Sequence, residues 1–206
     1  MRYLIFCTLL ILSYCSAIYA IDGEVVKMKG SPKYKRQNKT EILTKTTKLT
    51  EGDTIITGKS EFVKVIYDKH KFYIFGNSEI TITLDKKKNI LLDQKKGTSW
   101  FKINPLRGEK SFKVKTPSAV AGVRGTAFSV QIDSDSVTAV CVCEGSVEVE
   151  AGGVKKLLKQ SFGSKLMKGL PPFKAHSNVS LLRQKRKLGR RPLCMNCHDE
   201  NSEYKD

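Results

Sequence analysis

Glu61-Phe62-Val63-Lys64-Val65-Ile66-Tyr67 puts Val63, Val65 and Tyr67 on one side of an extended chain and Phe62, Lys64 and Ile66 on the other. β-branched and aromatic residues at a period of two, bounded by turn formers, read as a strand with one face buried. Residues 71–75 and Ile80-Thr81-Ile82-Thr83-Leu84 repeat the pattern downstream. Asp133-Ser134-Asp135-Ser136 then separates residues 126–132 from 137–143, the layout of a hairpin. No stretch before Val154 has useful helical periodicity, so the expected class is all-β, built of short strands as a sandwich or as a β-roll with solenoid character.

Two internal echoes support a repetitive build. Gly58-Lys59-Ser60-Glu61 recurs as Gly76-Asn77-Ser78-Glu79, and Asp22-Gly23-Glu24-Val25 as Glu144-Gly145-Ser146-Val147. Each glycine is expected to supply a turn with positive φ before the next strand.

The 206 residues carry 37 Lys and Arg against 20 Asp and Glu, a net charge of +17, with 40% hydrophobic content. That is enough apolar material for one packed core and too much for a wholly disordered chain. No continuous apolar run reaches the roughly 18 residues of a membrane-spanning helix, so no transmembrane anchor is expected after the leader is removed. The leader is residues 1–20: a short positive start at Met1-Arg2, an apolar stretch over 3–12, and small residues ending in Ala17-Ile18-Tyr19-Ala20. This reads as a secretory signal cleaved after Ala20, with lipidation at Cys15 as the alternative. The expected location is periplasmic. The remaining organisation is a β domain over 21–169 and a basic tail over 170–206.

Thr116-Pro117-Ser118-Ala119-Val120-Ala121-Gly122-Val123-Arg124-Gly125-Thr126-Ala127-Phe128-Ser129-Val130 resembles the central signature of FecR-type domains. Leu49-Thr50-Glu51-Gly52-Asp53-Thr54-Ile55-Ile56-Thr57-Gly58 upstream and residues 140–149 downstream extend the resemblance over about residues 21–166. It implies a β-rich, non-catalytic extracytoplasmic module. Some members of the family regulate sigma factors from the inner membrane. This chain shows neither the cytoplasmic amino-terminal domain nor the internal transmembrane helix of those members, so only the module is expected to carry over. Within the signature, Pro117 suits a strand start or sheet edge, Gly122 and Gly125 permit bends, and Arg124 is expected to bond loop carbonyls from inside the fold. Ser118 and Ser129 have no neighbouring His, and His70, His176 and His198 lie far apart in sequence. Asp53, Asp133 and Asp135 read as turn residues, and no enzymatic activity is expected.

The tail holds the remaining chemistry. Pro171-Pro172 breaks the chain, residues 183–191 crowd six Lys and Arg, and Cys194-Met195-Asn196-Cys197-His198 follows. Leu181, Leu182 and Leu188 place one apolar stripe on a basic helix starting near Ser180. CxxCH is the attachment signature of c-type haem: Cys194 and Cys197 add to the vinyl groups and His198 presents its imidazole to the iron. The alternatives are a local disulfide or a zinc site. Cys141 and Cys143, at i and i+2 on a strand, share a face and with Cys194 and Cys197 would make a tetrahedral set, His198 substituting. Expected partners are a periplasmic protein or redox partner, or an anionic envelope surface drawn to the basic stretch. An exported chain seldom meets nucleic acid.

Overall fold

The structure, a computed structural model, describes residues 22–84, 89–108, 110–133, 135–172 and 176–177. The chain opens with β1 (Gly23–Lys29), the hairpin β2 (Lys33–Arg36) and β3 (Lys39–Ile42), and the short β4 (Lys48–Leu49) and β5 (Thr54–Ile56). The hairpin β6 (Phe62–Tyr67) and β7 (His70–Ile74) precedes β8 (Glu79–Leu84) and the long β9 (Ile90–Ile103). Next come β10 (Phe112–Lys115), β11 (Val120–Val123), β12 (Thr126–Ile132) and β13 (Thr138–Glu144). β14 (Ser146–Ala151), β15 (Val154–Lys159), β16 (Phe162–Leu166) and β17 (His176–Ser177) follow. The described residues are all-β, and the strands expected from residues 61–67, 71–75, 80–84, 126–132 and 137–143 stand where their alternation places them.

The strands form two layers that share β9. The first runs β4-β1-β6-β7-β9-β12-β13-β16-β17. The second runs β3-β2-β5-β8-β9-β10-β11-β14-β15. Ile90 to Lys96 of β9 pairs in the second layer, and Gly97 to Ile103 pairs in the first. β10 then returns parallel to the start of β9, so β9 and β10 together make one solenoid-like coil within a sandwich. The inner faces meet at Phe112 of the second layer. Its ring lies 5.6 Å from Phe72, 5.7 Å from Phe101 and 6.3 Å from Phe128, all from the first. Alternation along β6 buries Val63, Val65 and Tyr67 in this core.

At several layer changes the backbones approach closely. β11 passes to β12 at Arg124-Gly125, and Gly125 takes φ +140 with its Cα so near Pro105 that a Cβ would meet the Pro105 Cα at 3.0 Å. β13 passes to β14 at Gly145, φ +78, where a Cβ would meet the Gly125 carbonyl oxygen at 2.9 Å. At the far end of β12, the bend of β9 falls on Gly97, φ +85, against Ser78, where a Cβ would lie 2.5 Å from the Ser78 Cα. Gly76 packs on the carbonyls of Lys59 and Gly58, and the Asn77 N–H donates to the Gly58 oxygen at 3.1 Å. The first sequence echo is therefore two stacked corners.

Several local expectations are corrected. Gly23, Gly58 and Gly76 do not take positive φ; Asn77 does so in the second corner, at φ 59. Gly23 lies inside β1, beneath the Tyr67 ring. Pro117 is in the β10–β11 turn, closed by the Thr116 N–H donating to the Ala119 oxygen at 2.8 Å, rather than at a strand start. Gly122 sits within β11 with room for a Cβ, so it makes no bend.

Two buried polar groups brace the hairpins. Asp53 is fully buried, and its carboxylate accepts from Arg36 Nε at 2.8 Å, Arg36 Nη2 at 2.7 Å and the Thr50 N–H at 2.8 Å. Arg36 Nη2 also donates to the Lys48 carbonyl at 2.8 Å, tying β2 to the segments before β5. Hydrogen bonding to Asp53 strengthens the hold of Arg36 on its proton. His70 is buried at the β6–β7 turn, its Nδ1 accepting from the Asn104 N–H at 3.2 Å and its ring tilted 6.3 Å from Phe112. Burial lowers the His70 pKa, with Asp68 opposing weakly.

Asp53→Ala takes the buried acceptor away from the Thr50 N–H and from the half-exposed Arg36, so it should lower the unfolding free energy by about 1–2 kcal/mol in urea titration, and a loss under about 0.5 would contradict the role given to it. For His70, the unfolded chain binds a proton near pH 6.5 while the native chain resists it. The unfolded state thus carries more protons as pH falls below about 6.5, and stability is lost in that direction until the native group also titrates. Unfolding midpoints measured from pH 7.5 to 5 should fall more steeply in the wild type than in His70→Gln.

Candidate functional site

The outer face of the first layer, turned away from the second, carries an uncommon combination of side chains. Tyr73, Trp100, Ala127 and Cys143 are buried together there, with Phe62 and Phe75 packed at their margin. Strand register explains the grouping. Lys64 pairs with Tyr73, Tyr73 with Trp100, Trp100 with Ser129, Ser129 with Cys141, and Cys141 with Gly163, so one row crosses the layer from β6 to β16. Tyr73 and Trp100 meet edge to face at 4.9 Å, and Lys64 Nζ lies 4.9 Å over the Tyr73 ring. Such contacts each add on the order of 1 kcal/mol to the burial itself.

Cys141 and Cys143 lie on this face because Val140 and Val142, between and beside them, turn into the core. Both are buried, at 6% and 9% exposure. Trp100 Nε1–H donates to Cys143 Sγ at 3.4 Å, which orients that thiol. Cys141 Sγ leans over Gly163, where a Cβ would meet it at 3.1 Å; a larger residue at 163 would displace the sulfur. Gly163 in turn pairs with His176 of β17.

Cys194, Cys197 and His198 lie outside the described residues, as do the basic stretch 183–191 and the helix expected from Ser180. Among the described residues no three His, Cys, Asp or Glu side chains come together in a metal-binding group. The structure therefore places half of the four-cysteine set and none of the CxxCH.

The other residues singled out have structural places. Ser118 Oγ shares a hydrogen bond of 2.7 Å with Thr138 Oγ1, which donates to Thr116 Oγ1 at 2.8 Å, a buried hydroxyl chain behind the β10–β11 turn. Ser129 sits between Trp100 and Cys141. Asp133 Oδ1 accepts from the N–H groups of Asp135 and Val137 at 3.0 and 2.9 Å, closing the β12–β13 turn. Arg124 departs from expectation. Its side chain is exposed with no partner among the described residues, and only its carbonyl is used, accepting from the Leu106 N–H at 3.0 Å. The corner is held by backbone and glycine, so the guanidinium is not needed inside. Tyr67 is buried with its hydroxyl lacking a partner among the described residues, and burial pushes its pKa up to about 12. The role of Trp100 was not apparent from the sequence, because a row across six strands is created by pairing.

No curated protein matches the chain significantly. Two crystal structures of a proposed anti-sigma factor from Parabacteroides distasonis ATCC 8503 are similar to it, both with TM-score 0.52 and 22% identity. The 2.50 Å structure is matched over 60% of this chain and 59% of its own, and the 1.65 Å structure over 64% of each. The chain thus spans about three-fifths of the length of those solved chains, and at this identity the likeness is one of fold. Residues 53–148, from the buried Asp53 through both signature corners to β14, match the family model described as FecR protein.

Proposed function

We propose that the chain is an exported, non-catalytic FecR-like module that binds a protein partner in the periplasm and works as a scaffold or signalling element. The observation carrying this reading is the FecR match over residues 53–148, which falls on the part of the fold where the chain passes repeatedly between layers. The fold likeness to a proposed anti-sigma factor supports a regulatory role rather than a catalytic one. The buried Asp53 carboxylate is held by Arg36, and Ser118, Thr138 and Thr116 form a buried hydroxyl chain, which suits a rigid platform.

The CxxCH sequence favours a finer reading, in which the tail carries one c-type haem and the module serves electron transfer or redox sensing. Cys194 and Cys197 would hold the macrocycle and His198 the iron; the bound group would supply one-electron redox chemistry. The alternative is zinc or disulfide chemistry at the cysteines, with the basic stretch binding anionic envelope components.

In a host equipped for haem attachment, the protein should appear in the periplasmic fraction shortened to begin at Ile21. Its pyridine haemochrome spectrum should show one covalent haem per chain, lost in Cys194→Ala and Cys197→Ala. Retention in the cytosol with residues 1–20 intact would contradict the exported module. Export without covalent haem would remove the redox reading, and metal analysis with thiol counting would then separate zinc from disulfide.

A further inference from the structure

Within residues 116–130 only Pro117 and Arg124 are exposed; every other position is buried or half-buried. Pro117 serves the β10–β11 turn. The Arg124 guanidinium serves nothing in the fold, having neither an ion pair nor a hydrogen bond among the described residues. Its backbone, by contrast, is locked. The Arg124 carbonyl accepts from the Leu106 N–H at 3.0 Å, and Gly125 is pressed on Pro105 with Gly145 on Gly125. Thr126 Oγ1 donates to the Ser146 carbonyl at 2.8 Å just beyond. A long cation is thus planted on a rigid corner.

The Leu106–Arg124 hydrogen bond sets a second arginine beside the first. Arg107 follows Leu106, is exposed, and also has no side-chain partner among the described residues. Lys69 joins them at this end of the sandwich, because Asn104 Nδ2 donates to its carbonyl at 3.0 Å. It too is exposed. Asp68 and Glu144, the described carboxylates of the adjoining turns, form no ion pair with any of the three among the described residues. Like charges held together repel one another in the free protein, and an anion that meets them relieves that repulsion.

The chemistry of the two arginines narrows the anion. A guanidinium is a planar fork of donors, less strongly hydrated than an ammonium, and it pairs with a carboxylate or phosphate through two parallel hydrogen bonds. A membrane surface is the poorer fit. Docking on lipid uses apolar side chains that enter the interface, or clusters of roughly four to eight basic residues. The exposed large apolar side chains lie on β1, β3, β15 and β16 and shortly after β16, with none at 104–108, 124–126 or 144–146. Two forks and one lysine on a narrow end match the carboxylates of an acidic protein segment.

We propose that Arg107 and Arg124, with Lys69 beside them, are the contact through which this module holds its protein partner, and that they grip paired carboxylates in an acidic segment of that partner. The proposal rests on the reading of the chain as a partner-binding module and adds a place on the fold and a chemistry.

The test uses the isotope-labelled full-length chain, with a hexaglutamate peptide as the probe and amide and arginine Nε–H resonances followed by NMR. Site-resolved signals separate this corner from the basic stretch 183–191. Saturable shifts are expected at the Arg107 and Arg124 Nε–H groups and at the amides of Leu106, Arg107, Arg124 and Gly125. The double variant Arg107→Gln, Arg124→Gln should weaken binding at the corner about tenfold, and Arg107→Lys, Arg124→Lys about threefold, since the charge is kept and the fork lost. The fold uses only the Arg124 carbonyl, so both variants should keep the wild-type spectrum elsewhere; the wild-type titration decides should they not. Shifts confined to 183–191, unchanged affinity in the Gln variant or full affinity in the Lys variant would each overturn the proposal. So would phosphatidylglycerol vesicles perturbing these resonances at lower anion concentration than the peptide, which would assign the corner to a membrane. Failure here leaves the exported module standing, whereas cytosolic retention of the chain would remove its periplasmic partner without altering the peptide titration.

Discussion

The fold depends on how closely its backbones can approach where the chain crosses between layers. A sandwich whose strands alternate between sheets needs tight corners, and here the corners stack on each other. Gly76 rests on the Lys59 and Gly58 carbonyls, Gly97 on Ser78, Gly125 on Pro105, and Gly145 on Gly125. A side chain at any of these would push apart two stacked segments of the chain, not merely distort one turn. Because β9 belongs to both layers, its bend at Gly97 sets the relation between them, and the aromatic core around Phe112 forms only with that relation kept. Hydrogen bonds fix the bend further. Gln94 is buried in it, its Nε2 donating to the Gly97 oxygen at 3.1 Å and its Oε1 accepting from Ser99 Oγ at 2.6 Å.

Much of this was legible from local pattern. Alternation in residues 61–67 or 80–84 is a property of one strand burying one face, so it can be read without knowing the neighbour. What pairing creates could not be read. Arg36 and Asp53 are 17 residues apart, and nothing nearby in sequence says that β2 will lie beside β5. The first half of β9 hid its alternation because Leu91 faces outward while the polar Gln94 faces inward. Arg124 misled, since an arginine between glycines looks like a buried anchor, and the corner uses only its carbonyl. For the site, the C-x-C spacing correctly places two thiols on one face, but their meeting with Trp100 depends on the register of β9, β12 and β13. The CxxCH motif lies outside the described residues and remains a proposal.

The two faces of the first layer divide the work. The inner face joins the layers through the aromatic cluster around Phe112, and the outer face buries a second cluster of Tyr73, Trp100, Ala127 and Cys143.

The central claim is that stacked glycine corners set the geometry. It is tested most directly by urea unfolding of Gly97→Ala beside Gly153→Ala. Both positions have positive φ, +85 and +74, but a Cβ at 97 would run into Ser78 while one at 153 would meet nothing within 4 Å. Gly153→Ala should cost about 1 kcal/mol from backbone strain alone, and Gly97→Ala about 2–4 kcal/mol from strain and overlap together. Equal losses in the two variants would contradict the account.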